Sequence, residues 1–329
     1  MERLSTQERW QVWKGVVLQV FSVLLLLFVG YAMQVKWGML GLALTELMFL
    51  TLAVVYVLVQ KTPLKEVFPI RLPSIKDVLG TLVLWFGSVL IGMASLGLMM
   101  WIMPSAFEAT TEGMSEILGS VNPFLTFLIA AVMPCICEEA IERGAVLSHF
   151  RTIKKDWVIV LIMGIFFGIF HLDPVRFLNT AILGAALTYV MVKKNNFILP
   201  MLFHFTNNAF SVIVSVFASN TYDAEALSEA SQQAAASGSM TFAAYLVIGF
   251  TAPLMIVLAI WLLTGKKKEE LTRDQFKAEQ KKNSRRIVIA VITSAVMLFT
   301  GLCLMISNPA FKEQYAEAME EYTVSMEQQ

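Results

Sequence analysis

Residues 122–150 read NPFLTFLIAAVMPCICEEAIERGAVLSHF, a run as apolar as a membrane span except for Glu138, Glu139, Glu142 and Arg143. About 20 mainly apolar residues are needed to cross the hydrocarbon core of a bilayer. At about 1.5 Å of rise per residue the charged cluster lies roughly 10–18 Å from the end of the run. An ionised carboxylate at that depth costs several kcal/mol unless it is paired or hydrated, so the cluster must face a bundle interior or a wet cavity. Glu139 and Arg143 stand four residues apart with the acid on the N-terminal side, the favourable order for an ion pair. Glu138 and Glu142 have the same spacing and are expected to share a face, an arrangement that suits general acid–base work. The plainer alternative is a cluster that only neutralises itself.

The rest of the chain has the same character. It is 57% hydrophobic and 15% charged, with a mean hydropathy of +0.67. Soluble domains carry about 25% charge, and a chain this apolar needs lipid to solvate it. The formal net charge of zero argues against nucleic acid as a partner. Nine apolar stretches are expected to span or nearly span a membrane: 13–34, 39–60, 78–103, 122–150, 157–172, 175–192, 197–218, 240–264 and 287–307. The fifth and sixth are short and suit helices packed inside a bundle. With the N-terminus in the cytoplasm, 21 of the 25 basic residues fall on the cytoplasmic side. Lys36, Arg176 and Lys312 fall opposite, and Arg143 lies within a span. The positive-inside rule therefore gives an all-α polytopic bundle of about nine transmembrane helices, N-terminus cytoplasmic and C-terminus external. The first run reads as a retained helix, not a removed signal peptide.

The connectors divide the chain into 1–77 (N-terminal helices and an interfacial segment), 78–218 (a membrane core), 219–239 (an external loop) and 240–329 (C-terminal helices, a solvated basic linker and an acidic tail). Segment 61–77 mixes basic and apolar residues with three prolines and is expected to lie along the interface. Cys135, Cys137 and Cys303 sit in apolar stretches and read as packing residues, because no second pair completes a zinc knuckle.

Histidine sharpens the reading. Of three in the chain, His149 ends the fourth stretch beside Arg151 and reads as an interfacial bystander. His171 closes the fifth stretch in FFGIFHLDP, with Phe167 one turn earlier. His204 lies in PMLFHFTNNAF, where Asn208 follows at i,i+4 and points at the same spot. Three helices that each offer a polar face inward can enclose a hydrated pocket.

In order, Glu138-Glu139-x-x-x-Arg143, Phe167-x-x-x-His171 and His204-x-x-x-Asn208 resemble the EExxxR, FxxxH and HxxxN/D motifs of the CAAX protease and bacteriocin-processing family of intramembrane proteases. The resemblance spans roughly residues 80–218. It implies an endopeptidase that hydrolyses a peptide bond by an activated water. Glu138, aided by His171, takes the proton. His204 and Asn208 donate hydrogen bonds to the developing oxyanion, and Arg143 holds Glu139. No cofactor is required on this reading. Zinc held by His171, His204 and Glu138 is the alternative, weakened by the lack of an HExxH pair. The implied partners are membrane lipid and a peptide or protein substrate, prenylated or a peptide precursor, in a prokaryotic cell membrane. Two other classes compete: a catalytically silent scaffold or bacteriocin-immunity or envelope regulatory factor, and a proton-coupled transporter. The second would more often show related halves with broken helices.

Overall fold

Each apolar stretch forms a helix, and no strand occurs among the described residues. The structure, a computed structural model, describes residues 10–221, 226, 229–230, 232–233, 237–266, 271–309, 311–313 and 316. The principal helices are α1 (Val12–Trp37), α2 (Met39–Val59), α3 (Ile75–Ile102), α4 (Pro104–Gly119) and α5 (Pro123–Phe150). They continue with α6 (Asp156–Phe170), α7 (Phe177–Lys194), α8 (Ile198–Thr221), α9 (Gly238–Thr264) and α10 (Arg273–Ser307).

Among the described residues seven helices are long and apolar enough to cross a membrane: α1, α2, α3, α5, α8, α9 and α10. Their outer faces expose large apolar side chains, as at Val288, Ile292, Val296 and Phe299 of α10, each more than half exposed. Surface of that extent is solvated by lipid, and the chain is an integral membrane protein. The expected fifth and sixth spans are α6, with 15 residues, and α7, with 18 residues that include Lys193 and Lys194. Of the nine expected crossings, seven are helices of full spanning length among the described residues, and the other two expected spans are this shorter pair. Gly164 and Gly168 of α6 let its backbone meet α7 closely, and a methyl group at Gly164 would lie 2.8 Å from the Ala181 carbonyl. Small residues at this spacing are the usual means of packing membrane helices, where burying apolar surface gives no advantage over lipid.

The centre of the bundle is α5. From Glu139 to Phe150 every residue is buried, because α1, α2, α6 and α8 surround this half of the helix. Asn122 caps its start by accepting from the Leu125 N–H at 3.1 Å, with Pro123 in the first turn. Two stretches, Leu128–Val132 and Ala140–Val146, are π-helical. The second begins immediately after Glu139, and such wide turns recur at functional sites.

The connectors that carry the basic residues meet at one end of the bundle. Arg151 donates to Asn195 Oδ1 at 2.8 Å, Lys194 pairs with Asp77 at 2.6 Å, and Lys76 reaches the Gly265 carbonyl at 3.1 Å. Segment 61–77 lies at this end. Phe197 N–H donates to the Pro69 carbonyl, Asn196 bonds Arg71, and Leu72 and Ile75 stand 97% and 81% exposed. Apolar side chains presented outward beside basic ones fit an interfacial position.

Two readings of the connectors change. The basic linker 265–286 is helical from Arg273 onward. A reciprocal capping box of Thr272 and Gln275 starts the helix, so its polar half simply extends α10 beyond the lipid. The short helix α4 was not expected. It has no fully buried residue, and its apolar positions Phe107, Met114 and Leu118 recur at helical spacing along one side. Of the expected 219–239 loop, residues 222–225, 227–228, 231 and 234–236 lie outside the described residues, as does most of the acidic tail.

Candidate active site

A cavity of about 860 Å³ opens at the end of the bundle away from the basic connectors. It is walled by the end of α1, the start of α2, α4, α5 as far as Glu138, the end of α6 with the turn 171–176, and α8 from Phe203 to Ser215. Glu138, His171, His204 and Asn208 all line it. Glu139 and Arg143 lie behind the wall, both completely buried.

The buried pair behaves as its spacing suggests. Arg143 Nη1 donates to Glu139 Oε1 at 3.1 Å, and Nη2 donates to the Gly184 carbonyl of α7 at 3.2 Å. The same Glu139 oxygen accepts from His204 Nδ1 at 2.8 Å. Arg143, Glu139 and His204 therefore form one chain from α7 through α5 to α8. Because a carboxylate only accepts, His204 carries a proton on Nδ1, and its Nε2 is turned to Glu138 Oε2, 3.9 Å away. That gap exceeds a hydrogen bond, and Glu138 Oε2 has no partner.

Phe167 organises the second motif. Its carbonyl accepts from His171 Nδ1 at 2.8 Å, which leaves the His171 Nε2 lone pair free when the ring is neutral. Its ring lies under the Arg143 guanidinium, 4.2 Å from the ring centroid, and packs edge-on against both His171 and His204. Gly184 makes this possible. A methyl group there would come within 2.5 Å of Phe167 Cβ, in the space that lets Arg143 reach the Gly184 carbonyl. In the sequence Phe167 stood as a companion on the His171 face and as the first residue of the FxxxH motif, without a role of its own.

Asn208 has a structural duty. Pro134 offers no N–H to the Ala130 carbonyl four residues before it, and Asn208 Nδ2 donates to that carbonyl at 3.3 Å. In lipid a freed carbonyl must find a donor within the protein. One amide hydrogen of Asn208 is thus committed to α5, and one remains toward the cavity. Glu142 also departs from expectation. It does not line the cavity with Glu138 but accepts from Gln19 Nε2 of α1 at 2.8 Å, so the two acids do not act at one spot. His149 is no interfacial bystander. It is completely buried, with Nε2 2.8 Å from the Tyr56 hydroxyl and its ring against Trp10, because α1 and α2 cover the end of α5.

Two charged residues of the cavity went unnoticed in the sequence. Glu46 of α2 is 3% exposed, has an unpartnered Oε2 and stands near enough to Glu138 for their charges to interact. A lone acid in the apolar stretch 39–60 was the signal, the same one that singled out α5. Arg176, counted only as a loop charge, also lines the cavity.

The donors for zinc do not converge. Among the described residues no three His, Cys, Asp or Glu side chains are grouped so as to hold a metal ion. His171 and His204 each spend Nδ1 within the protein, on the Phe167 carbonyl and on Glu139.

Comparison with known proteins gives one match. No curated protein and no solved structure matches the chain. Residues 120–210, which hold all three motifs, match the family model described as type II CAAX prenyl endopeptidase Rce1-like. Over this segment, which holds the central helix and both cavity histidines, the chain is similar to CAAX-type endopeptidases.

Proposed function

We propose that the chain hydrolyses a peptide bond with a water activated by Glu138, without a metal. The carrying observation is the Glu138 carboxyl, which reaches the cavity with one oxygen unpartnered, 3.9 Å from His204 Nε2. Water bound there gives one proton to Glu138 while His171 Nε2 accepts the hydrogen bond of the other. The hydroxide adds to the scissile carbonyl. His204, held by Glu139 through Nδ1, donates from Nε2 in its protonated form to the oxygen that becomes negative, joined by the second amide hydrogen of Asn208. Glu138 then passes its proton to the leaving nitrogen, the carbon–nitrogen bond breaks to give an amine and a carboxylic acid, and the acid's proton, the second from the water, passes to the amine to leave a carboxylate and an ammonium. The donor arrangement supports doing this without zinc. Purified protein in proteoliposomes should cleave a model peptide after extensive chelation nearly as fast as before. Activity lost on chelation and restored by zinc would reverse that part of the reading.

The substrate class follows from the cavity's place. It opens opposite the basic connectors, which by the positive-inside rule is the outer face of the membrane. We therefore favour peptides presented outside the cytoplasm, in a prokaryotic cell membrane, over cytoplasmic prenylated tails. A cysteine placed at position 230 should react with an impermeant reagent in intact cells, and one at position 275 only after permeabilisation. The opposite pattern would turn the cavity to the cytoplasm.

A further inference from the structure

Glu46 stands about 10 Å along α2 from its start, inside an apolar membrane span. It lines the cavity, is 3% exposed, and its Oε2 is buried without a hydrogen-bond partner. The cations near the cavity are matched elsewhere. Arg143 pairs with Glu139, and Arg176 meets the charges of Asp173 and Glu138. The charged group that acts on Glu46 is Glu138, another acid. Its polar neighbours bond each other instead. Gln34 Nε2 donates to Thr45 Oγ1 at 3.4 Å, and Thr45 donates to the Gly41 carbonyl at 2.8 Å. A buried carboxylate in a membrane protein that has no cation of its own marks a place where one arrives.

We infer that Glu46 binds a lysine or arginine side chain of the peptide that Glu138 cleaves, an inference that rests on the protease reading above. Leu42, Thr45, Glu46 and Phe49 fall on one face of α2 and all line the cavity. Leu26 and Leu27 of the adjoining α1 line it as well. A carboxylate set among apolar side chains suits a long alkyl stem that carries its charge at the tip. The mouth adds to the same preference. On α4, Glu108, Glu112 and Glu116 recur at every fourth position, off the side that lines the cavity. Carboxylates in a row there draw cations toward the opening before any contact is made. Because the charges of Glu46 and Glu138 act on each other, the bound cation sits within a few residues of the scissile bond, at a fixed offset.

The test uses fluorescent apolar peptides with both ends blocked, in which a single lysine is moved from position to position. Each is paired with the peptide that has norleucine, the uncharged counterpart, at the same place. Binding is measured to protein in neutral phosphatidylcholine nanodiscs. The Glu138→Gln background keeps the peptides intact and leaves Glu46 as the only acid lining the cavity among the described residues. At one position lysine should bind about 10- to 100-fold more tightly than norleucine, the range for a charge-assisted pair. Adding Glu46→Gln should bring that lysine peptide to the norleucine affinity and leave the norleucine peptide unchanged. Equal binding of lysine and norleucine at every position would overturn the proposal, whether or not the Glu46 variant folds. So would a lysine preference that survives Glu46→Gln, or a variant that weakens both peptides alike. Binding is read without cleavage. A lysine preference carried by Glu46 with no Glu138-dependent hydrolysis would therefore sink the protease reading and leave this site standing.

Discussion

Glu138→Gln should lower peptide hydrolysis by about 10²- to 10⁴-fold, the usual worth of a positioned general base, while the protein inserts and melts as the wild type does. The substitution keeps the shape of the side chain and removes only its ability to take a proton. Glu138 is well suited to this separation of effects. Its Oε2 has no partner to lose, and the chain of Arg143, Glu139 and His204 behind it does not pass through it. Initial rates on a quenched peptide, with melting in the same detergent, provide the measurement. Full activity in Glu138→Gln would remove the glutamate mechanism, and the roles given to His171 and His204 would fall with it.

Arg143→Ala should instead unfold the protein, at a cost of roughly 3–5 kcal/mol, the scale for breaking a buried ion pair from one side. The guanidinium is completely buried, bonds Glu139 and the Gly184 carbonyl, and fills the face of Phe167. Its loss strands a carboxylate within the membrane and withdraws the support under both histidines. Glu139→Gln combined with Arg143→Ala should recover part of that stability, since no charge is then left unpaired, yet activity should stay lost because His204 no longer has its ionic partner. The comparison is of melting temperatures of the two variants. A double variant no more stable than Arg143→Ala would show that packing on Phe167, rather than charge, is what Arg143 supplies.

The helices and the acidic cluster were legible because both rest on local rules. Lipid demands long apolar runs, and it makes a charge within one conspicuous. The ion pair of Glu139 and Arg143 followed from spacing alone. What spacing did not carry was direction. Glu142 was assigned to the face of Glu138 by counting four residues on a regular helix, whereas α5 is π-helical from Ala140 and delivers Glu142 to Gln19. His149 was judged by its nearness to a basic loop, and only the packing of α1 and α2 over the end of α5 shows it buried. Arg176 and Glu46 came to the cavity through the bundle's tertiary arrangement, which no single stretch encodes. The helix α4 was hidden because it is short and half polar, so neither hydropathy nor length set it apart from a loop.

The wide turns of α5 also bear on insertions and deletions. A π-helical stretch holds one residue more than an α-helix needs for the same path. Removing one residue between Ala140 and Val146 would therefore let this stretch return to regular α-helix along the same path, whereas the same deletion from a regular α-helix would turn everything after it by about 100°. Ser148, His149 and Phe150 would keep the places where α1 meets them, at Gly15 above all, where a methyl group would lie 2.6 Å from the Phe150 ring. A relative aligned with a one-residue gap in this stretch would therefore wrap the far end of its central helix in the same way, with EE and both histidines intact.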